Sequence, residues 1–179
     1  VSTKFINTDL EGSIFNAATL NHVDLSAALM KRASLESVYI GGNSFFPGLD
    51  LSENNLISAS FINQVLLSMD FSSSDLTSAH FDNSWLFDID LYDSDLAYTT
   101  FKNSFISSSD LSSSPDGTVV TMSSADFSGS YFVDSKLNDR KERSGSGVSF
   151  EFATIAGESE LIGADLSQGN LQGVNITKD

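Results

Sequence analysis

The side chains that could do acid–base or metal chemistry here are 24 carboxylates and two histidines, His22 and His80; the chain has no cysteine. Without cysteine there is neither a disulfide framework nor a thiolate metal site. Catalysis by a nucleophile and its base, or by a pair of carboxyl groups, needs those groups to converge in a pocket. Nine lysines and arginines against 24 acids give a formal charge of −15 over 179 residues. That balance disfavours direct nucleic-acid binding, which needs cations to displace counterions from phosphate, and it is wrong for an anionic membrane surface. No apolar run approaches a membrane span and no signal-peptide pattern opens the chain. The length fits one domain, residues 1–179. The start at Val1, already in frame at Phe5, predicts an excised domain or a processed product of a larger protein.

Whether any of these groups meet depends on what positions them, and the positioning signal is a period of five. From Leu51 to Leu111 every fifth residue is large and apolar: Leu51, Leu56, Phe61, Leu66, Phe71, Leu76, Phe81, Leu86, Leu91, Leu96, Phe101, Ile106 and Leu111. Neither a helix nor a strand generates that spacing, whereas a repeat does. Residues twenty apart also look alike: Leu49-Asp50-Leu51, Met69-Asp70-Phe71, Ile89-Asp90-Leu91 and Ser109-Asp110-Leu111. Leu49, Met69 and Ile89 share one column, and Ala59, Ala79 and Thr99 another. The unit is a small residue, a polar one, then Leu or Phe, with Ala125-Asp126-Phe127 and Ala164-Asp165-Leu166 its cleanest copies.

In these motifs the chain resembles the pentapeptide-repeat proteins. The resemblance implies an all-β fold, a right-handed quadrilateral β-helix in which four pentads make one coil. The apolar centre and the small residue two before it point inward, and the other three point out. Thirty-two centres can be placed, giving about eight coils and a rod of roughly 38 Å at sheet spacing. The frame slips by one at Pro47-Gly48, a corner bulge. It breaks at residues 112–121, which contain Pro115-Asp116-Gly117, and at residues 138–149, which contain Arg140, Lys141 and Arg143. Both breaks are expected to project as loops, the second being the first place trypsin should cut. No helix at either end is expected to cap the stack, so the ends are either cut or covered by a partner.

In such a rod the interior is filled and the serines are outward or small inward residues, so no catalytic, cofactor or metal site is expected. His22 and His80 fall in one column three coils apart, about 14 Å. Asn175-Ile176-Thr177 reads as a chance match to a glycosylation acceptor. The informative surface is acidic and aromatic. Asp50, Asp70, Asp90 and Asp110 should form a ladder up one face, with Asn55, Asp75 and Asp95 up the next. These are solvated turn-formers or an electrostatic surface for a basic partner. Val65, Trp85 and Phe105, with Leu67, Phe87 and Phe46, should form an apolar stripe on the fourth face, and contiguous aromatics of this kind mark an interface.

Two functions from different classes fit. The resemblance, in this Ser- and Asn-rich degenerate form, implies a non-catalytic partner- or substrate-binding β-helix. Such domains occur in secreted bacterial effectors of the HECT-like ubiquitin-ligase type, acting in the bacterium or in a host cell. The alternative is an acidic DNA mimic that occupies the duplex site of gyrase, as in the family's quinolone-resistance members.

Overall fold

The computed structural model describes residues 3–25, 28–41, 47–112, 122–136, 149–157, 159 and 170–177. Among them there is no helix; the elements are short strands: β1 (Thr3–Lys4), β2 (Thr19–Asn21), β3 (Val23–Asp24), β4 (Tyr39–Gly41), β5 (Val65–Leu67), β6 (Trp85–Phe87), β7 (Phe105–Ser107), β8 (Tyr131–Val133), β9 (Thr154–Ala156) and β10 (Asn175–Ile176). All pair in parallel, and β5 to β10 stack in chain order as one six-stranded sheet. The pairing closes a solenoid. On one face the rungs run Thr19, Tyr39, Ser60, His80, Thr100, Asp126, Ser149, Asn170. Eight layers are thus joined by seven rungs, in line with about eight coils.

The pentad makes a corner because of its backbone. In each unit the residue two after the centre turns into the left-handed region. Twenty of these corner residues are not glycine, from Asn7 (φ 54) to Phe152 (φ 56). Asn, Asp and Gly accept that region most readily, and Asn63, Asn83, Asn103, Asp88, Asp93 and Asp134 are among them. The preceding centre then takes a bond from the next inward residue, as in Ala79 N–H to the Leu76 carbonyl at 2.8 Å. Neighbouring coils bond backbone to backbone, as in Leu51 N–H to the Asp70 carbonyl and Asp70 N–H to the Leu49 carbonyl.

Side chains at the centre and two before it are buried. Leu49, Met69 and Ile89 fill one column, Ala59, Ala79 and Thr99 another. Serines at inward positions are satisfied by the neighbouring coil: Ser84 Oγ donates to the Phe61 carbonyl at 2.6 Å and accepts from Gln64 N–H at 3.0 Å. Ser74, Ser94 and Ser104 donate to the Leu51, Phe71 and Phe81 carbonyls in the same way. A buried hydroxyl is thereby paired rather than orphaned. Phe61, Phe81, Phe101, Phe127 and Phe150 stack face to face up one column, at 4.8 Å for the first three steps and 5.0 Å for the last.

Departures from a twenty-residue coil are absorbed between faces. Leu29 pairs with Asp50, one residue in excess; Thr100 pairs with Asp126, six in excess; Asp126 pairs with Ser149, three in excess. Gly48 takes the corner position equivalent to Ser68, so the first extra residue lies between Gly41 and Gly48. The segments 113–121 and 137–148, on which the loop expectations mainly fall, lie outside the described residues. Ser149, expected at the end of the second loop, is instead a rung of the ladder. Not every described centre is sealed: Phe5, Leu10 and Phe15 are only partly buried, and Leu171 and Ile176 are exposed. Each of these coils has a described neighbour on one side only.

Candidate partner-binding face

The strand face of β5 to β8 carries the apolar stripe. Leu66, Leu86, Ile106 and Phe132 point inward and are fully buried, so alternation sends both neighbours of each outward. Parallel pairing then aligns Val65, Trp85, Phe105 and Tyr131 in one column. Leu67, Phe87, Ser107 and Val133 align in the next. Val65 is 61% exposed, Trp85 56%, Tyr131 40% and Leu67 39%, while Phe87 and Phe105 are half-buried against their neighbours. The rings touch in sequence: Trp85 to Phe87 at 6.0 Å, Trp85 to Phe105 at 5.8 Å, Phe87 to Phe105 at 5.5 Å, and Phe105 stacked on Tyr131 at 5.6 Å. Mutual contact fixes them as one surface rather than separate spots. Phe46, expected to extend the stripe downward, lies outside the described residues. Tyr131 extends it upward and was not anticipated. Its place beside Phe105 is hidden by the six extra residues, although Tyr131-Phe132-Val133 repeats the outward–inward–outward pattern of β5 to β7.

The acidic ladder is present in the expected register. Asp50, Asp70, Asp90 and Asp110 pair rung to rung, and Asn55, Asp75 and Asp95 do so on the next face. Each of the seven also has a local task. Oδ1 accepts the backbone N–H two residues on: Ser52 for Asp50 (2.9 Å), Ser72 for Asp70 (2.8 Å), Tyr92 for Asp90 (2.9 Å), Ser112 for Asp110 (3.0 Å). Ile57, Thr77 and Ala97 donate likewise to Asn55, Asp75 and Asp95. These side chains close the turn, leaving Oδ2 of each aspartate for the surroundings. Partial burial raises the Asp90 carboxyl above the ordinary aspartate range, the Tyr92 N–H opposes it, and the Asp70 and Asp110 charges add to the rise. Asp95 is raised in the same way by burial and by Asp75. At Asp126 burial also pushes upward, but the Ser128 hydroxyl and N–H and the Lys102 ammonium at 3.1 Å prevail and hold the carboxyl low. The ladder ends where Lys136 pairs with Asp110, Nζ to Oδ2 at 3.4 Å.

The histidines do not share a column. His80 is a rung between Ser60 and Thr100, its Nδ1 3.0 Å from Thr100 Oγ1. His22 is a left-handed corner residue, φ 53. Counting coils alone had merged two different positions of the pentad. Among the described residues no three His, Asp or Glu side chains are grouped to hold a metal ion.

A solenoid whose every side is a pentad, with its polar surface built on turn-closing aspartates, defines the class as a quadrilateral β-helix. A family model of pentapeptide repeats, in eight copies, matches residues 2–36. The same five-residue frame, with its left-handed corner two after each centre, carries on beyond that match through the described coils. Among solved structures it is similar to full-length QnrB1, a plasmid-mediated fluoroquinolone resistance protein, at 14% identity and TM-score 0.48, covering 97% of this chain and 84% of that one. It is also similar to HetL, a pentapeptide repeat protein involved in heterocyst differentiation regulation from the cyanobacterium Nostoc sp. strain PCC 7120, at 17% identity and TM-score 0.28, covering 96% and 88%. A third is a pentapeptide repeat protein from the thylakoid lumen of Arabidopsis thaliana, at 16% identity and TM-score 0.18, covering 75% and 68%. No curated protein sequence matches the chain.

Proposed function

We propose that this β-helix is a non-catalytic interaction module that binds a protein partner through the Val65/Leu67/Trp85/Phe87/Phe105/Tyr131 stripe. The observation that carries the reading is the run of touching rings, which makes one contiguous exposed surface; among the described residues, other exposed apolar side chains, such as Ile14, Leu29, Tyr98 and Phe152, have no such ring contacts with one another. Apolar patches rimmed by polar groups are where proteins meet, and aromatic anchors there carry most of the binding. The Asp70/Asp90/Asp110 ladder on the adjoining face selects a basic rim on the partner, tuning rate and salt dependence more than affinity. The finer reading is the substrate- or partner-binding β-helix of a secreted bacterial effector of the HECT-like ubiquitin-ligase type. It rests on the Ser- and Asn-rich pentads. Duplex mimicry on gyrase is less well supported, because the ladder stops at Lys136 and abuts aromatic rings that a phosphate mimic does not need.

The test is retention of partner proteins by the immobilised chain and by two variants. Trp85→Ala should weaken retention at least tenfold with an unchanged unfolding midpoint, since Leu86 rather than Trp85 fills the core at that coil. Asp90→Asn should do less, and its effect should fade at high salt. Equal retention by wild type and Trp85→Ala would refute the reading.

A further inference from the structure

We infer that the occupant of the stripe is a basic amphipathic α-helix lying along the solenoid axis, an inference that rests on the binding role proposed above. Spacing is the first argument. The coils rise 4.8 Å, as the stacked core rings measure, and the outward rings of successive coils lie 5.6–5.8 Å apart. One turn of α-helix rises about 5.4 Å, and its i and i+4 side chains lie about 5–6 Å apart, so one apolar residue per turn can meet one coil. Same-side residues of an extended strand are about 6.7 Å apart. Over the three steps from Val65 to Tyr131, a helix drifts about 2 Å from the coil repeat and a strand about 6 Å, more than a whole coil. About ten helical residues span the four layers.

The second argument is what the face offers. The backbones of β6 to β9 are already paired above and below, while β5 pairs with β6 on one side and takes the Gly48 N–H at its Leu67 carbonyl on the other. Among the described residues β6 to β8 offer no free strand edge for a partner to pair with, so recognition along them falls to side chains. The third argument is charge. In the coil of β6 the order is Asp82, then Trp85 and Phe87 outward, then Asp88 at an exposed corner, then Asp90; the coils below and above have Ile62 and Lys102 at the place of Asp82 and keep Asp70 and Asp110 at the place of Asp90. Carboxylates therefore recur layer by layer on the ladder side of the rings, whereas on the other side Asp82 and Asp126 stand with Lys102, which pairs Asp126. A helix whose apolar stripe carries lysine or arginine along the ladder side matches that cross-section. A second copy of this chain, at −15, does not.

The probe is an 18-residue leucine/lysine peptide patterned as an amphipathic helix. It is compared with the same composition broken by two central prolines and with its glutamate-for-lysine counterpart. Trp85 is the only tryptophan, so its emission reports directly from the stripe, and calorimetry gives the affinity. The helical lysine peptide should bind at least tenfold tighter than either control and shift the emission to the blue. Val65→Asp, an exposed change that makes the chain more acidic, should weaken it at least fivefold. If the peptide were held by charge alone, Val65→Asp would leave binding unchanged or tighten it, and that result would overturn the inference. So would equal binding of the proline-broken peptide. If the broken peptide binds equally and Val65→Asp weakens both, the stripe still binds partners and only the helix is lost. If no peptide binds, the helical occupant is rejected, and the retention assay with Trp85→Ala decides the binding role separately.

Discussion

The aspartate ladder combines two opposing effects, and substituting Asp90 separates them. Its Oδ1 closes a turn by accepting the Tyr92 N–H at 2.9 Å, while its charge lies one rung from Asp70 and one from Asp110. Two unit charges about 5 Å apart repel by about 1 kcal/mol in water, so Asp90 faces up to about 2 kcal/mol at low salt. A hydrogen bond to a charged acceptor is worth about twice one to a neutral acceptor, so Asp90→Asn weakens the turn by about 0.5–1 kcal/mol while removing both repulsions. The expected net effect of Asp90→Asn is a gain of about 0.5–1 kcal/mol in 20 mM salt, falling to zero or slightly below in 500 mM. Asp90→Ala removes the same charge and also the acceptor, so it should sit about 1 kcal/mol below Asp90→Asn at both salt concentrations. Urea unfolding followed by circular dichroism measures all of this. The pH dependence has a fixed sign. Because the folded carboxyls of Asp90 and Asp95 are raised, the native state binds more protons than the unfolded chain between the two pKa values. Their contribution to stability therefore falls as pH rises through that window and is most unfavourable above the folded values. Asp126, held low, contributes in the opposite sense: its stabilisation is present above the unfolded value and is lost as pH falls through the folded one. Should Asp90→Asn destabilise as much as Asp90→Ala, independent of salt, the ladder would be purely a turn device with no electrostatic cost.

Two further expectations follow from the interior. Asn54 is buried with both amide atoms unpartnered, and Ser74 one coil on fills the equivalent place with its hydroxyl paired; Asn54→Ser should raise stability by about 1 kcal/mol or more, and a lower unfolding midpoint would contradict that. Phe101 lies between Phe81 and Phe127 in the stack, so Phe101→Ala should cost about 3–5 kcal/mol in the same urea assay, and a loss under 1 kcal/mol would mean the column closes over the gap.

The fold was legible because its period is unusual: a residue such as Leu86 can be assigned inward from its place in the pentad, and Trp85 and Phe87 outward from Leu86. The ladder was legible where the coil is strictly twenty residues, from Asp50 to Asp110. Beyond that the sequence loses count. Tyr131 was missed, and the Phe61–Phe150 stack was not seen as one column, because six and three extra residues intervene and only backbone pairing shows which faces meet. The histidines were merged for a related reason, since a rung such as His80 and a corner such as His22 differ in backbone conformation and not in composition. The double task of the aspartates was half legible. Asp is a common turn-former, but that all six spend one oxygen on the turn required the distances.

The unbroken phenylalanine stack has a consequence for how such a chain can change over time. Phe101 and Phe127 stack at the same 4.8 Å as Phe81 and Phe101 despite the six residues added between their coils. Residues gained or lost between one face and the next therefore leave the core in phase, whatever their number. Within a pentad the same event turns every inward side chain outward as far as the next corner. Duplication of twenty residues behaves differently again, because it inserts a complete coil. Each duplication inside the β5 to β8 region would lengthen the rod by one layer and add one outward pair and one carboxylate in register. The valency of the binding face is then set by gene length, one coil at a time, without any existing residue having to be redesigned.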